Sequence, residues 1–273
     1  MKLAQYFTPQ GLRLGLVTER QLQPLAFAGD FHAWLSAGRP LTGASPVLPL
    51  AEFELAPPVN RPGKIIAVGL NYHDHAVEGN LKTPEEPLVF AKFPNSVVGP
   101  EAELRWSAEL TQKVDFEAEL VVVIGEKTSA CSIETALSKV FGYTCGNDVS
   151  ARDLQFADQQ WVRGKSLDTF CPLGPWIVSA DEIKDPQRLA IRSRLNGVVM
   201  QESNTAAMIF PVAELVSYLS RHFTLEPGDL IMTGTPSGVG FFRNPPVFMQ
   251  SGDLIEIEIE KIGVLSNRCR MIG

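Results

Sequence analysis

The segment Asp115-Phe116-Glu117-Ala118-Glu119-Leu120-Val121-Val122-Val123-Ile124-Gly125 changes character along its length. Its first part alternates, and the period of two along a strand puts Glu117 and Glu119 on one face with Phe116, Ala118 and Leu120 on the other. From Leu120 to Ile124 both faces are apolar, as in a strand covered on both sides, so the two glutamates stand where the core begins. Like charges at that depth need compensation. A hard cation bound by carboxylate oxygens would supply it, as would protonation of one or both groups or pairing with a basic residue. The pattern does not choose among these.

The same chain contains a control. In Leu254-Ile255-Glu256-Ile257-Glu258-Ile259-Glu260-Lys261 the alternation never breaks, so Glu256, Glu258 and Glu260 are expected to face water.

Other short, β-branched-rich runs read as strands: Ile65 to Val68, Leu88 to Phe90, Trp176 to Val178 and Leu230 to Met232. The clearest helical patches are Ser132 to Phe141, with Ser132 as N-cap, and Pro211 to Phe223. Residues 1–56 alternate short apolar pieces with glycine and polar breaks and read as a small α+β module, in which Ala33-Trp34-Leu35 closes a short helix. The prolines of Ala56-Pro57-Pro58-Val59-Asn60-Arg61-Pro62-Gly63 mark a linker, so 57–273 is expected to be one mainly β domain with peripheral helices. A length of 273 residues with 45% hydrophobic and 20% charged residues suits such a compact soluble protein.

A formal net charge of -7 argues against nucleic acid as a partner, because a phosphate backbone calls for clustered Lys and Arg. An anionic small molecule is not excluded, since a bound cation and a few placed basic residues reverse the sign inside one pocket. Cys131, Cys145, Cys171 and Cys269 form no C-x-x-C pair and are expected to be reduced thiols. With neither a signal-peptide stretch at the N-terminus nor a run of about eighteen apolar residues, a cytoplasmic protein without membrane insertion is expected.

A third carboxylate, Asp148, lies in Gly146-Asn147-Asp148-Val149-Ser150-Ala151-Arg152-Asp153-Leu154-Gln155 and is expected to open a helix. Arg152 and Gln155, at i+4 and i+7, would share its face. Arg163-Gly164-Lys165-Ser166 is not a phosphate loop, because Gln159 stands where that motif needs glycine. The apolar neighbours of Lys165 leave it either at the surface or partly buried. The Gly-rich turn from Thr233 to Gly240, with Thr235, offers backbone N–H groups and a hydroxyl to a carboxylate. His75 and Glu78 are three residues apart and share a helical face, an arrangement that orients an imidazole and raises its basicity. His32, His73 and His222 have no apparent partners and receive no role. In the segment from Gly79 to Glu86, Lys82 is the residue able to approach a distal carboxylate.

Taken in order, G-x-N-Y-x-x-H-x-x-E, D-F-E-x-E-L-V-V-V-I-G, N-D-V-S-A-R-D-x-Q, G-K-S-x-D-x-F-x-P-x-G-P and G-T-P-x-G-V-G resemble the fumarylacetoacetate hydrolase superfamily from about Lys64 to the C-terminus. The resemblance implies a mixed β-roll, sandwich-like catalytic domain, a homodimer, and a bound Mg²⁺ or Mn²⁺, with Ca²⁺ as a further candidate. It implies Glu117, Glu119 and Asp148 as metal ligands, Arg152, Gln155 and Thr235 as substrate-binding residues, Lys165 as a stabiliser of enolate charge, and His75 with Glu78 as a lid dyad. Larger eukaryotic members have a further metal-binding Asp seven residues before the histidine, where this chain has Val68. The activity expected first is hydrolysis of a carbon–carbon bond in a small acylpyruvate-like 2,4-dioxo acid, with His75 activating water. Decarboxylation of oxaloacetate, or isomerisation or tautomerisation of an unsaturated 2-oxo diacid, is the alternative within the family. A non-catalytic oxo-acid-binding protein is the alternative of another class.

Overall fold

Strand Ala118–Ile124 is buried along its whole length and divides two hydrophobic cores. The computed structural model, which describes every residue except Ser45 and Asp158, is mainly β with helices at its edges. Ala118, Leu120, Val122 and Ile124 face one core, which they share with Ile255, Ile257 and Ile259 and with Leu215, Val216 and Leu219 of helix Val212–His222. Val121 and Val123 face the other, with Leu14, Phe31, Trp34 and Phe141. Alternation along a strand therefore puts Glu117 and Glu119 on the second side, at the rim of the layer that begins with Val121.

A large sheet carries this strand near its middle. In spatial order it runs Leu48–Pro49, Gln21–Ala28, Gly11–Thr18, Lys2–Thr8, Cys171–Ser179, Val140–Asn147, Ala118–Ile124, Leu230–Met232, Ile65–Gly69, Leu88–Lys92. The N-terminal strands belong to this sheet, joined through the pairs Lys2 to Val178 and Leu3 to Ile177. A second sheet, in the order Val198–Asn204, Ala190–Leu195, Leu254–Ile259, Gly263–Ile272, Leu104–Ser107, packs over the first core. In Leu254–Ile259 the isoleucines point inward and the glutamates outward, where Glu258 pairs with Arg194 at 2.7 Å. Among the described residues no helix is long and apolar enough to cross a membrane, and the four cysteines are free.

Two expectations change. The helix expected over 132–141 is helical only at Ile133–Ala136, followed by a 3-10 turn to Lys139. From Val140 the chain is a strand, buried at every position, because it lies between Ala118–Ile124 and Cys171–Ser179. A short apolar run has no periodicity that separates a buried strand from a helix, and here the two flanking strands decide. Asp148 consequently does not open a helix: it follows the end of this strand, and the helix begins at Arg152. The pairing of Ala118 with Asn147 and of Glu119 with Gly146 brings Asp148 opposite Glu117, whose carbonyl accepts the Asp148 N–H at 3.0 Å.

The packing of these central strands leaves no room at Gly142. A Cβ there would lie 2.3 Å from the Val178 carbonyl oxygen, a backbone atom that cannot turn aside. Gly142→Ala should therefore destabilise the protein by at least about 1–3 kcal/mol. Gly252→Ala, with nothing within reach but a backbone φ of +94°, should cost about 1 kcal/mol through conformation alone. Denaturant midpoints of the two variants check the order, and a Gly142→Ala protein as stable as wild type would contradict the packing.

Candidate functional site

Glu117, Glu119 and Asp148 each offer a carboxylate oxygen within 4.8 Å of the others, and all three are buried. The convergence follows from the register: two glutamates at the start of one strand face an aspartate just beyond the end of its antiparallel neighbour. Three basic side chains are buried with them. Lys165 Nζ donates to Glu117 Oε2 and Asp148 Oδ2, each at 2.8 Å. Lys92 Nζ donates to Asp148 Oδ1 at 2.5 Å. Arg152 Nη2 reaches Glu117 Oε1 and Asp115 Oδ2, each at 2.7 Å.

The carboxylates do not share these cations equally. Burial alone would raise the Glu117 carboxyl, but Lys165 and Arg152 outweigh it and hold the group at about 2. Among the described residues Glu119 receives only the Gly234 N–H, at 2.8 Å. Burial, then the charges of Asp148 and Glu117, push its carboxyl well above the ordinary carboxylate range, and Lys165 offsets this only in part. Asp115, Glu117, Glu119 and Asp148 face Lys92, Arg152 and Lys165, so the cluster lacks one positive partner and the lack falls on Glu119. An all-carboxylate donor set with a shortfall of positive charge fits a hard divalent cation.

The cluster forms the floor of a cavity of about 100 Å³. Helix Arg152–Ala157 supplies Arg152 and Gln155, and Arg152 Nη1 donates to Gln155 Oε1 at 2.9 Å. Lys165 ends the short helix Val162–Lys165 and is fully enclosed, with its ammonium 5.2 Å from the Phe90 ring centroid. Helix His73–Glu78 brings His75 to the rim, where His75 Nδ1 and Glu78 Oε2 are 3.0 Å apart. Phe156, Trp161, Phe241 and Phe242 close the sides, and Val68 lies in the wall.

The residues named from the sequence thus meet at one place. His75, Glu117, Glu119, Arg152, Gln155, Lys165 and Thr235 line the cavity, Asp148 stands in the carboxylate cluster, and Glu78 reaches it through His75. Lys82 does not: it is exposed and pairs with Glu85. Sequence reasoning missed Lys92, which looks like the polar end of an ordinary strand, and Asp115, which looks like the residue before one. Asp115 also accepts the N–H groups of Gly240 and Phe241, at 2.7 and 2.9 Å. A larger groove of about 1210 Å³ lies elsewhere, along Phe7, Phe53, Val97 and Trp176, and holds none of this chemistry.

The family model described as fumarylacetoacetate hydrolase C-terminal matches residues 64–270. The mitochondrial oxaloacetate tautomerase FAHD2A of Bos taurus is 47% identical over 232 residues, which cover 84% of this chain and 74% of the relative. Its counterpart from Homo sapiens is 47% identical over 234 residues, covering 85% and 74%. The solved structure of fumarylacetoacetate hydrolase from Exiguobacterium antarcticum superposes with a TM-score of 0.92 at 37% identity, covering both chains fully. That of 2-hydroxyhepta-2,4-diene-1,7-dioate isomerase from Mycobacterium marinum has a TM-score of 0.84 at 36% identity, covering 100% of this chain and 99% of that one.

The charge imbalance yields a sign that can be measured. A carboxyl raised by the fold favours the folded state at low pH, and that contribution is lost as pH rises from the ordinary carboxylate value through the raised one. In metal-free protein at neutral pH, Glu119→Gln removes this strain and should melt higher than wild type, with the gap closing in acid. Saturating Mg²⁺ should raise the wild-type melting temperature, by about 2.7 kcal/mol of stability at a hundredfold excess over Kd, and leave Glu119→Gln unmoved. Glu258→Gln, in the control strand, should respond to metal as wild type does. Equal metal stabilisation of wild type and Glu119→Gln would remove Glu119 from the ligand set.

Proposed function

The chain belongs to the fumarylacetoacetate hydrolase family of enzymes, and from that premise and the geometry of the cavity we propose that it is a divalent-metal-dependent tautomerase of a small 2-oxo diacid such as oxaloacetate. The observation that carries this reading is the meeting of the carboxylate triad and the His75–Glu78 pair on one cavity of about 100 Å³. That volume is far below the roughly 300–1,000 Å³ of pockets for drug-sized ligands, so a molecule of few heavy atoms fits it best. The all-oxygen donor set favours Mg²⁺ or Mn²⁺. The similarity to oxaloacetate tautomerases at 47% identity supports the same substrate class.

When bound by Glu117, Glu119 and Asp148, such a cation supplies a Lewis acid that polarises a 2-oxo group. The protein's own groups do the rest. Arg152, whose charge is held firmly by Asp115 and Glu117, and Gln155 beside it, bind a carboxylate end. Glu78 accepts the hydrogen on His75 Nδ1, which leaves Nε2 as the base. His75 takes a proton from C3, the C–H electron pair becomes the C2–C3 double bond as the C2–O π pair moves onto oxygen, and the proton carried by His75 is delivered to that oxygen, which restores the neutral imidazole. The Lys165 ammonium presents positive charge to that oxygen. No water is consumed. Decarboxylation of the same acid passes through a related enolate and belongs to the same reading.

The reading that comes first from the motifs, hydrolysis of an acylpyruvate, takes second place. The 0.92 TM-score to the Exiguobacterium fumarylacetoacetate hydrolase favours it, and it uses the same His75–Glu78 pair to activate water.

Enol-to-keto conversion of oxaloacetate, followed by enol absorbance, should be accelerated by the Mg²⁺-loaded protein and return to the background rate with EDTA. His75→Ala should slow it by about 10²- to 10⁴-fold while retaining metal-dependent thermal stabilisation. An enzyme that cleaves acylpyruvates and leaves the oxaloacetate rate at background would establish the hydrolytic reading in its place.

A further inference from the structure

Gln201 lies in strand Val198–Asn204 of the second sheet, is fully buried, and is spent entirely on four hydrogen bonds. Its Oε1 accepts the Ala118 backbone N–H at 2.9 Å and the Ser193 hydroxyl at 3.0 Å. Its Nε2 donates to the Pro236 carbonyl at 2.8 Å and to Thr235 Oγ1 at 2.7 Å. The orientation of the amide is not free. A backbone N–H only donates and a backbone carbonyl only accepts, so turning the amide over would set donor against donor at Ala118 and acceptor against acceptor at Pro236.

This has a consequence for Thr235. Its oxygen is committed as an acceptor from Gln201, so its own hydrogen must point elsewhere, and no acceptor for it appears among the described residues. The residue is 4% exposed and lines the cavity. We infer that Gln201 is a positioning residue that fixes the Thr235 hydroxyl as a hydrogen-bond donor into the cavity, so that the ligand atom meeting it is an acceptor oxygen. Naming that oxygen as part of a 2-oxo acid rests on the proposed function; the polarity itself does not. Through the Ala118 N–H, between Glu117 and Glu119, the same side chain also ties the carboxylate strand to the turn that carries Thr235.

A double-mutant cycle read by calorimetry, with oxalate as probe and the protein saturated with Mg²⁺, tests this. Thr235→Val should raise the oxalate Kd by roughly 10-fold or more, the loss expected for a hydrogen bond to a charged group. Gln201→Met should raise it by about 10-fold in the wild-type background and by less than about twofold in Thr235→Val, because the hydroxyl it orients is already gone. If Gln201→Met does not fold, Gln201→Glu replaces it: the added charge acts in both backgrounds and cancels in the comparison, while the lost donor does not. The same factor in both backgrounds, or no change in the wild-type background, would overturn the inference and reduce Gln201 to packing. Oxalate binding by a protein without tautomerase activity would instead remove the proposed reaction and leave the polarity of Thr235 standing.

Discussion

An acidic cluster that the protein cannot neutralise by itself governs the rest of the structure. Moving a carboxylate out of water costs several kcal/mol in practice unless a cation or several hydrogen bonds replace the solvent. Lys92, Lys165 and Arg152 are buried and paired with Asp148, Glu117 and Asp115, while Arg152 and Lys165 also line the cavity. Glu119 is left with one backbone N–H. Burial raises its carboxyl, and a divalent cation held by the triad would relieve the same strain, which would couple metal binding to the energetics of folding. A fourth buried basic residue would relieve the same strain and leave the cluster less suited to a cation.

The turn from Thr233 to Phe241 gathers these demands. Its N–H groups go to carboxylates that serve different parts of the site: Gly234 to Glu119, Gly238 to Glu78, and Gly240 with Phe241 to Asp115. A backbone that donates in several directions within so few residues must adopt conformations that a side chain would forbid. Gly234 has a φ of +94°, and a Cβ on Gly240 would lie 1.8 Å from the Val247 carbonyl oxygen. Because one segment touches the carboxylate cluster, the Glu78 partner of His75 and the counter-ion of Arg152, a shift in any of them is felt by the others. The glycine-rich composition records this mechanical role.

How much of this could be read from the sequence depends on how local each cause is. Glu117 and Glu119 are legible because the break in alternation falls between them and the apolar run, and Glu256, Glu258 and Glu260 are legible as outward-facing because no break occurs. His75 and Glu78 are legible from spacing within one helix. The resemblance implies Asp148 as a ligand, but the physical reason for its place in the cluster is not legible in the sequence: its position comes from strand Val140–Asn147, whose pairing on both sides involves residues distant in sequence. Lys92, Asp115 and Gln201 share that difficulty. Each looks ordinary beside its neighbours and acquires its role from contacts made across sheets, such as Gln201 with Ala118 and Thr235. The motifs also serve several reactions of one intermediate, which is why the sequence put hydrolysis first while the similarity to oxaloacetate tautomerases moves the weight to its alternative.

What separates those reactions is access of water to His75. Hydrolysis requires a water held beside the imidazole, whereas tautomerisation proceeds best where none competes for the base or for the enolate. The rim of the cavity bears on this difference. Phe242 lies 5.6 Å from the His75 ring, Phe241 lies 5.2 Å from both Phe242 and Phe156, and the Arg152 guanidinium sits 5.8 Å from the face of Phe241. Phe242 sets an apolar face beside the imidazole, Phe241 and Phe156 extend it along the cavity wall, and the Phe241 ring lies over the buried Arg152 guanidinium. Phe241 belongs to the turn whose N–H groups Asp115 accepts, and Asp115 also holds Arg152, so the guanidinium and the ring over it are positioned by one carboxylate. For the proposed tautomerisation, an apolar face beside His75 disfavours a competing water while a proton moves between carbon and oxygen.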